Sequence, residues 1–440
     1  MGPAAAGIGR FARAQSTPFP PRRHVAWVQL VPANAPRSGY RLGGIPALAA
    51  RAQADIIHVL RIRRHMAYKL LIAYASAGAG HARAAAALKS AFDLAGYEGS
   101  AETVDVIQYT RAVFGKLYLH SYFSVISALP WYWRYLYHRW DKKRIDGFER
   151  RAMCALDRLN AGKFIDLVRQ KQPTHIICTH FLPGEILAWM RRTGQLDVPV
   201  GVVVTDYDAH RIWINPGTDH YFVASDYLRG LFISKGAPPD QVTTCGIPVN
   251  AAFSEPVDRA QVRAELGLEP DLPTVLALSG GGGKGGVQKT VAAIAECGAV
   301  QILAVAGHNE RLKRRLDELA VPPPAKLVTY GFVDYMEKLM AASDLIVTKP
   351  GGMSSTECLA VGLPMVLTLP IPGQEERNSA FLVGRGAALP ASTPAKLRQV
   401  IGRLLAEPEH LARMRKAALN AARPRAAFDI IDSALRLEPM

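Results

Sequence analysis

No run in this chain reaches 18 apolar residues, so a membrane-spanning helix is excluded on length. The start shows no basic segment leading into an apolar one, so no signal peptide is expected. Cysteine is scarce. The five, at 154, 178, 245, 297 and 358, are scattered without metal-ligand spacing. That argues against a disulfide framework or a zinc site and for reduced, structural thiols in a cytosolic protein. Nor does the sequence repeat itself at the period of about 20–50 residues that marks solenoids. Acids are short in supply, 37 against 53 Lys and Arg, for a net charge of +16. Residues 1–65 hold ten Arg, no Lys and one acid, Asp55. This segment is rich in Ala, Pro and Gly and is expected to be disordered. Met66 opens the strand-like YKLLIAY, so 1–65 reads as a mis-called start or a dispensable extension. The rest of the chain stays basic, which suits nucleic acid or anionic lipid.

At 440 residues, 49% hydrophobic and 20% charged, the chain suits two or three globular domains. Apolar β-branched runs alternate with helical segments. In residues 66–248 strands are expected at 68–74, 101–106, 174–178, 199–204, 219–223 and 242–244. A linker spans 249–272. In 273–405, PTVLALS, QILAVAG, KLVTYGF, DLIVTK and PMVLTL read as strands. A helical, basic tail follows over 406–440. Strand–helix alternation implies parallel sheets with crossover helices. The fold class is α/β, and two facing sheets leave a cleft at the carboxyl ends of their strands.

The richest stretch is DLIVTKPGGMSSTECLAVGLPMVLTLPIPGQEERN, residues 344–378. A strand, the turn Pro350-Gly351-Gly352 and a helix follow one another. Free N–H groups and the dipole at such a helix start favour an anion, and glycine lets a phosphate approach. Glu357, one turn in, suits two ribose hydroxyls, although Ser354-x-x-Glu357 reads equally as a capping box. Gln374, Glu375 and Asn378 are side chains that bind sugar hydroxyls, or else line a solvated loop. SGGGGKGG at 279–286 follows a strand and opens a helix. Gly280, Gly282 and Gly285 fit G-x-G-x-x-G, but the second strand ends in Ala306-Gly307-His308 with no acid for an NAD ribose. A Walker A reading fails at Gly285, which follows Lys284. A diphosphate cradle fits better, with Lys284 offsetting leaving-group charge.

These motifs together resemble glycosyltransferase family 28, in particular monogalactosyldiacylglycerol synthases and bacterial diacylglycerol glucosyltransferases. SAGAGH (76–81), VVTDYDAHRIWINPGTDHYFVASD (203–226), GIPVNAAF (246–253), SGGGGKGG, AGHNE (306–310), YGFVDYM (330–336), KPGGMSSTE (349–357) and PGQEERN (372–378) carry the resemblance over about 66–405. It implies a GT-B fold of two facing Rossmann-like domains and inverting transfer of glucose or galactose from a UDP-sugar to diacylglycerol. No tightly bound cofactor and no metal are implied. His81, at a helix N-terminus that keeps its imidazole neutral, would be the base. A turn histidine bonded only to backbone is the bland alternative. Gly280, Gly281, Gly282 and Lys284, with Gly351, Gly352, Met353, Ser354 and Ser355, would hold diphosphate. Phe332 would line the uracil pocket, Glu357 would hold ribose and Gln374 with Glu375 the sugar, and Gly307, His308, Val333, Lys349 and Asn378 would belong to the same UDP-sugar site.

Asp206-Tyr207-Asp208 is a D-x-D, which elsewhere marks metal-dependent transferases. It lies in the acceptor half, so Asp206 is expected to line the cleft and orient His81 or an acceptor group, or else to be a strand-end turn residue. Residues 113–144 interleave Trp131, Trp133 and Trp140 with Arg134, Lys142 and Lys143. Aromatics with cations suit a membrane interface, and a diacylglycerol acceptor stays in the bilayer. Base stacking on nucleic acid and a packed helix pair are the alternatives. The expected protein is peripheral, on the cytoplasmic side, contacting anionic lipid and no nucleic acid. A UDP-N-acetylglucosamine transferase acting on a lipid-linked peptidoglycan precursor is the alternative on the same fold. A basic nucleic-acid-binding protein is the alternative from another class.

Overall fold

Short apolar strands separated by helices pair most readily with the strand one crossover away, and this rule builds the molecule. The computed structural model describes residues 67–76, 78–111, 128–142, 147–278 and 286–438. All of them fall in one compact unit, Leu60–Met440. Segment 1–65, Ala77, residues 113–127, Lys143 and the loop residues Gly280, Gly281, Gly282, Lys284 and Gly285 lie outside the described residues.

In the first half, β1 (Tyr68–Tyr74), β2 (Gly99–Asp105), β3 (His175–Cys178), β4 (Val200–Val203), β5 (His220–Val223) and β6 (Val242–Thr244) form a sheet ordered β2-β1-β3-β4-β5-β6. In the second, β7 (Thr274–Leu278), β8 (Gln301–Val305), β9 (Lys326–Tyr330), β10 (Leu345–Thr348), β11 (Met365–Leu367) and β12 (Ala388–Pro390) are ordered β12-β11-β10-β7-β8-β9. Every pairing is parallel. All residues of β4, β5, β8 and β10 are buried, as strands covered on both faces must be. The edge strand β12 has only three residues and no alternation, so no sequence pattern announced it.

The helices that position the site are α1 (Ala79–Ala95), α2 (Pro130–Lys142), α3 (Phe148–Asn160), α4 (Phe181–Arg192), α5 (Met336–Ala342), α6 (Gly352–Val361), α7 (Gln374–Gly384), α8 (Pro408–Ala421) and α9 (Ala426–Ala434). The chain returns at its end to the first sheet. Ile430 and Ile431 of α9 are fully buried in one cluster with Leu70, Ile72 and Leu88. Each such side chain contributes ~1.5–3 kcal/mol by leaving water. All five cysteines are free thiols. No helix among the described residues is long and apolar enough to cross a membrane.

Strand order also fixes where ligands can sit. The order in which strands are added reverses between β1 and β3 and between β7 and β10. At such a point the loops diverge and open a crevice. Residues Ser76–His81 follow β1, Thr179 and His180 follow β3, and Lys349–Gly352 follow β10, so both crevices receive motif residues.

Candidate active site at the domain junction

His81 is the third residue of α1. Its Nδ1 lies 2.7 Å from the Thr179 carbonyl oxygen and 3.1 Å from the Thr205 hydroxyl. A carbonyl only accepts, so Nδ1 carries the proton and Nε2 keeps its lone pair. Burial pushes the imidazole down to about 4, against a smaller opposing effect of the Thr179 hydrogen bond. The ring is therefore neutral at pH 7. His180 packs edge-on against it at 4.5 Å between centroids. The His180 Nδ1 accepts from the Leu182 N–H, capping α4.

Thr179, then, holds His81, and Asp206 does not. Asp206 Oδ1 instead accepts from the Asn378 amide at 3.3 Å, and burial pushes its carboxyl up to about 6. All three residues of the D-x-D tripeptide bind the second half. The Tyr207 N–H donates to Asn378 Oδ1 at 2.7 Å, its hydroxyl meets Thr356 Oγ1 at 2.8 Å, and its ring stacks on Phe381 at 4.5 Å. Asp208 receives Arg377 at 2.8 and 3.0 Å. The expectation that Asp206 orients His81 is corrected: the loop after β4 is a strap between the halves.

Helix α6 starts at Gly352 with Gly351 as N-cap and no side-chain cap. Its first N–H groups are therefore free to meet an anion at the junction. The capping-box alternative fails, because Ser354 is already inside the helix and the Glu357 carboxylate goes elsewhere. Gly352 serves an unforeseen purpose. A Cβ there would lie 2.0 Å from the Thr205 carbonyl oxygen, so glycine is what lets the two halves touch. Gly351 keeps open space, its nearest neighbour being Glu375 Oε1 at 3.9 Å. Met353 is 5% exposed and wedges toward Gly80 of α1.

Glu357 is 2% exposed and its Oε1 accepts from Arg83 Nη2 across the junction. Its Oε2 and the Ser355 hydroxyl are buried without a protein hydrogen-bond partner. Burial pushes the carboxyl up to about 7, with Arg83 pulling the other way.

On α7, Gln374 is partly buried at the first position. The buried Glu375 accepts from the Ile371 N–H at 2.6 Å. Burial raises its carboxyl and the Lys349 charge opposes this. Asn378 is 0% exposed, and its amide is committed to Tyr207, Asp206 and the Pro350 carbonyl, 3.1 Å away. Both N–H bonds are used, so the expected sugar ligand is instead a pin between the halves. Sequence reasoning also missed Arg83, Thr179, Thr205 and Arg377. All but Thr179 lay in or beside quoted motifs, without a signal of partner.

Gly307 takes a left-handed φ of +61°, and after it the exposed His308 imidazole lies flat on Phe332 at 4.1 Å and 14°. Phe332 is 61% exposed and Val333 is half-buried beside it. This is a ready surface for a planar base.

On α2, Trp131 is 69% exposed, and Lys142 is exposed too. Trp133 is 9% exposed and stands edge-on to the half-buried Trp140 at 6.1 Å. It packs α2 rather than meeting a membrane. Arg134 is spent on Glu376 of α7. Neighbouring α3 presents Phe148, Leu156 and Leu159, each more than half exposed.

Comparison with known proteins closes the assignment. Residues 81–249 match the monogalactosyldiacylglycerol (MGDG) synthase family profile, and 286–429 match the glycosyltransferase family 28 C-terminal domain. A processive diacylglycerol beta-glucosyltransferase of Bacillus licheniformis is 29% identical over 351 residues, 79% of this chain and 89% of that one. A probable monogalactosyldiacylglycerol synthase 2 of Oryza sativa is 29% identical over 419 residues, 90% of this chain and 84% of that one. Acinetobacter baumannii MurG superposes with a TM-score of 0.53 at 16% identity, over 84% of this chain and 99% of that one, which identifies the two-domain GT-B fold. With both halves matched in order, the chain belongs to the family 28 glycosyltransferases of the monogalactosyldiacylglycerol synthase type.

Proposed function

We propose that this protein transfers a hexose from a UDP-sugar to diacylglycerol with inversion, giving a β-glycosyl-diacylglycerol. The observation that carries the reading is the His81 ring, neutral, pinned through Nδ1 to a carbonyl, and seated opposite the uncapped start of α6. The acceptor oxygen attacks the anomeric carbon while the bond to UDP breaks. The hydroxyl proton goes to His81 Nε2, and UDP leaves with its electron pair. Positioned bases of this kind are worth ~10²–10⁴-fold. The diphosphate charge is met by the α6 N-terminus and Lys284, with no metal in the chemistry. Asp206 and Asp208 are already committed to Asn378 and Arg377, in keeping with that. Glu357 Oε2 takes the ribose hydroxyls, the His308–Phe332 stack takes the uracil, and Gln374 with Glu375 takes the sugar.

The relatives' printed activities, a diacylglycerol glucosyltransferase and a monogalactosyldiacylglycerol synthase, support this acceptor and favour neither the peptidoglycan-precursor nor the nucleic-acid reading. Trp131 and Lys142 of α2 are exposed, and we assign their surface to anionic lipid on the cytoplasmic side. The test is an assay with diacylglycerol in mixed anionic vesicles and labelled UDP-glucose or UDP-galactose offered separately. A hexosyl-diacylglycerol product names the sugar. No product from either donor, with UDP still bound, overturns the acceptor.

A further inference from the structure

Arg83 stands two residues past His81 and belongs to the first half, yet its guanidinium ends on Glu357 of the second. The Arg83 side chain is 43% exposed and that of Glu357 3%. A cation thus reaches in from the open side of the junction to a carboxylate sealed beneath it. Only Oε1 is engaged, and Oε2 is buried without a hydrogen-bond partner.

Buried bridges take both forms in this molecule: Arg158 also bonds only Oε1 of Glu185 and leaves Glu185 Oε2 without a partner, whereas the Arg191–Asp219 bridge is closed. Arg191 bonds both oxygens of Asp219, at 2.8 and 3.2 Å, and Asp219 Oδ2 also accepts from the Val200 N–H at 2.7 Å. Nothing there is left open. What sets Arg83–Glu357 apart is its place: it bridges the two halves two residues from His81, where an uncommitted acceptor oxygen can serve a ligand.

We propose that Arg83 is a positioning residue for the transfer: through Oε1 it holds the Glu357 carboxylate charged and in place, so that the second oxygen is uncommitted when a nucleotide enters the junction, and it ties the helix that carries His81 to the helix that carries Glu357. This rests on the ribose role given to Glu357 above. The charged and titratable groups around that carboxylate are few. Arg83 faces it from α1 and Glu337 from α5, and Cys358 follows it on α6. Burial raises its pKa most, Glu337 adds to the rise, and Arg83 opposes both. The Cys358 thiol is itself pushed up by burial and stays neutral. Without Arg83 nothing on this face opposes protonation, and a protonated carboxyl loses the acceptor strength two hydroxyls require.

The experiment uses the full chain and UDP itself as probe. Calorimetric affinity for UDP is measured from pH 6 to 9 for the wild type, Arg83→Gln, Arg83→Lys and Glu357→Gln, beside turnover with diacylglycerol vesicles. In the wild type, affinity should climb through pH 7 and level off. Arg83→Gln should move that rise upward by roughly one unit or more and weaken binding at pH 7 by about tenfold. Arg83→Lys should restore the wild-type midpoint. Glu357→Gln should bind weakly and lose the dependence. A midpoint unmoved in Arg83→Gln, with Glu357→Gln impaired, overturns the role of Arg83 alone. Wild-type affinity in Glu357→Gln overturns the ribose reading and this inference with it.

Discussion

Among the arginines that cross the domain junction, Arg377 and Arg83 are built for opposite ends. Arg377 of α7 sits in a closed network. It bonds both oxygens of Asp208 at 2.8 and 3.0 Å, Asp141 at 3.0 Å and His138 at 3.2 Å, and lies 5.4 Å over the Tyr137 ring. The Tyr137 hydroxyl donates to Asp208 at 2.6 Å, and Lys235 binds both oxygens of Asp141 at 2.6 and 2.7 Å. Arg83 engages one oxygen of one carboxylate and leaves its partner half satisfied. The closed network is a hinge pin, whereas the open pair sits beside the proposed base and keeps an acceptor in reserve. The junction thus combines a closed clamp with a bridge that keeps one acceptor oxygen uncommitted.

The sharpest break of that contrast is at the open side. His81→Ala should cost at least ~10²-fold in turnover and leave UDP affinity nearly intact. A variant that kept more than a few per cent of its activity would remove His81 from the base role.

On the closed side the effect should be on stability. Arg377→Met leaves Asp208 and Asp141 without their central cation, and breaking a buried pair costs ~3–5 kcal/mol. Arg83→Met should cost clearly less, because the Glu357 carboxyl already sits at about 7 and can take up a proton when its cation is removed. Equal denaturation midpoints for the two variants would erase the distinction.

A third test follows from sign. The Glu357 carboxyl lies at about 7, above the ordinary 4.5, so ionising it costs stability as pH rises between those values. Glu357→Gln should therefore melt with the wild type near pH 4.5 and above it at pH 8, while binding UDP less tightly. A lower melting temperature at pH 8 would mean that Glu357 is chiefly a stabilising partner of Arg83. Asp141 runs the other way. Its carboxyl is held at about 2, with Lys235 among the causes, so its contribution is lost only as pH falls below the ordinary 3.8 toward 2.

The smallest effect expected is at the surface. Trp131→Ser should reduce retention on anionic vesicles by less than about tenfold without changing the melting temperature. Trp133→Ser should do the reverse, because its ring is packed.

Much of the fold was legible locally. Strands at 68–74, 242–244 and 345–348 stand where they were expected, and β10 shows why: a central parallel strand covered on both faces has to be apolar. A helix after the glycine turn was legible, although it starts at Gly352, within the expected turn, rather than at Ser354. Segment 130–142 was legible as aromatic and basic, yet its outward face was not. Trp131 and Trp133 differ by two positions, and a helix sends such neighbours in different directions.

The chain by itself determined two α/β halves, the motif order that identifies the family, and a histidine placed at a helix N-terminus after β1. Those are properties of local pattern and spacing. Tertiary structure alone decided that Asp206 turns to Asn378, that Gly352 yields its space to Thr205, and that Arg83 meets Glu357. Arg83 and Glu357 are 274 residues apart. Their pairing depends on how two independently wound sheets seat against each other, and neither periodicity nor propensity carries that information.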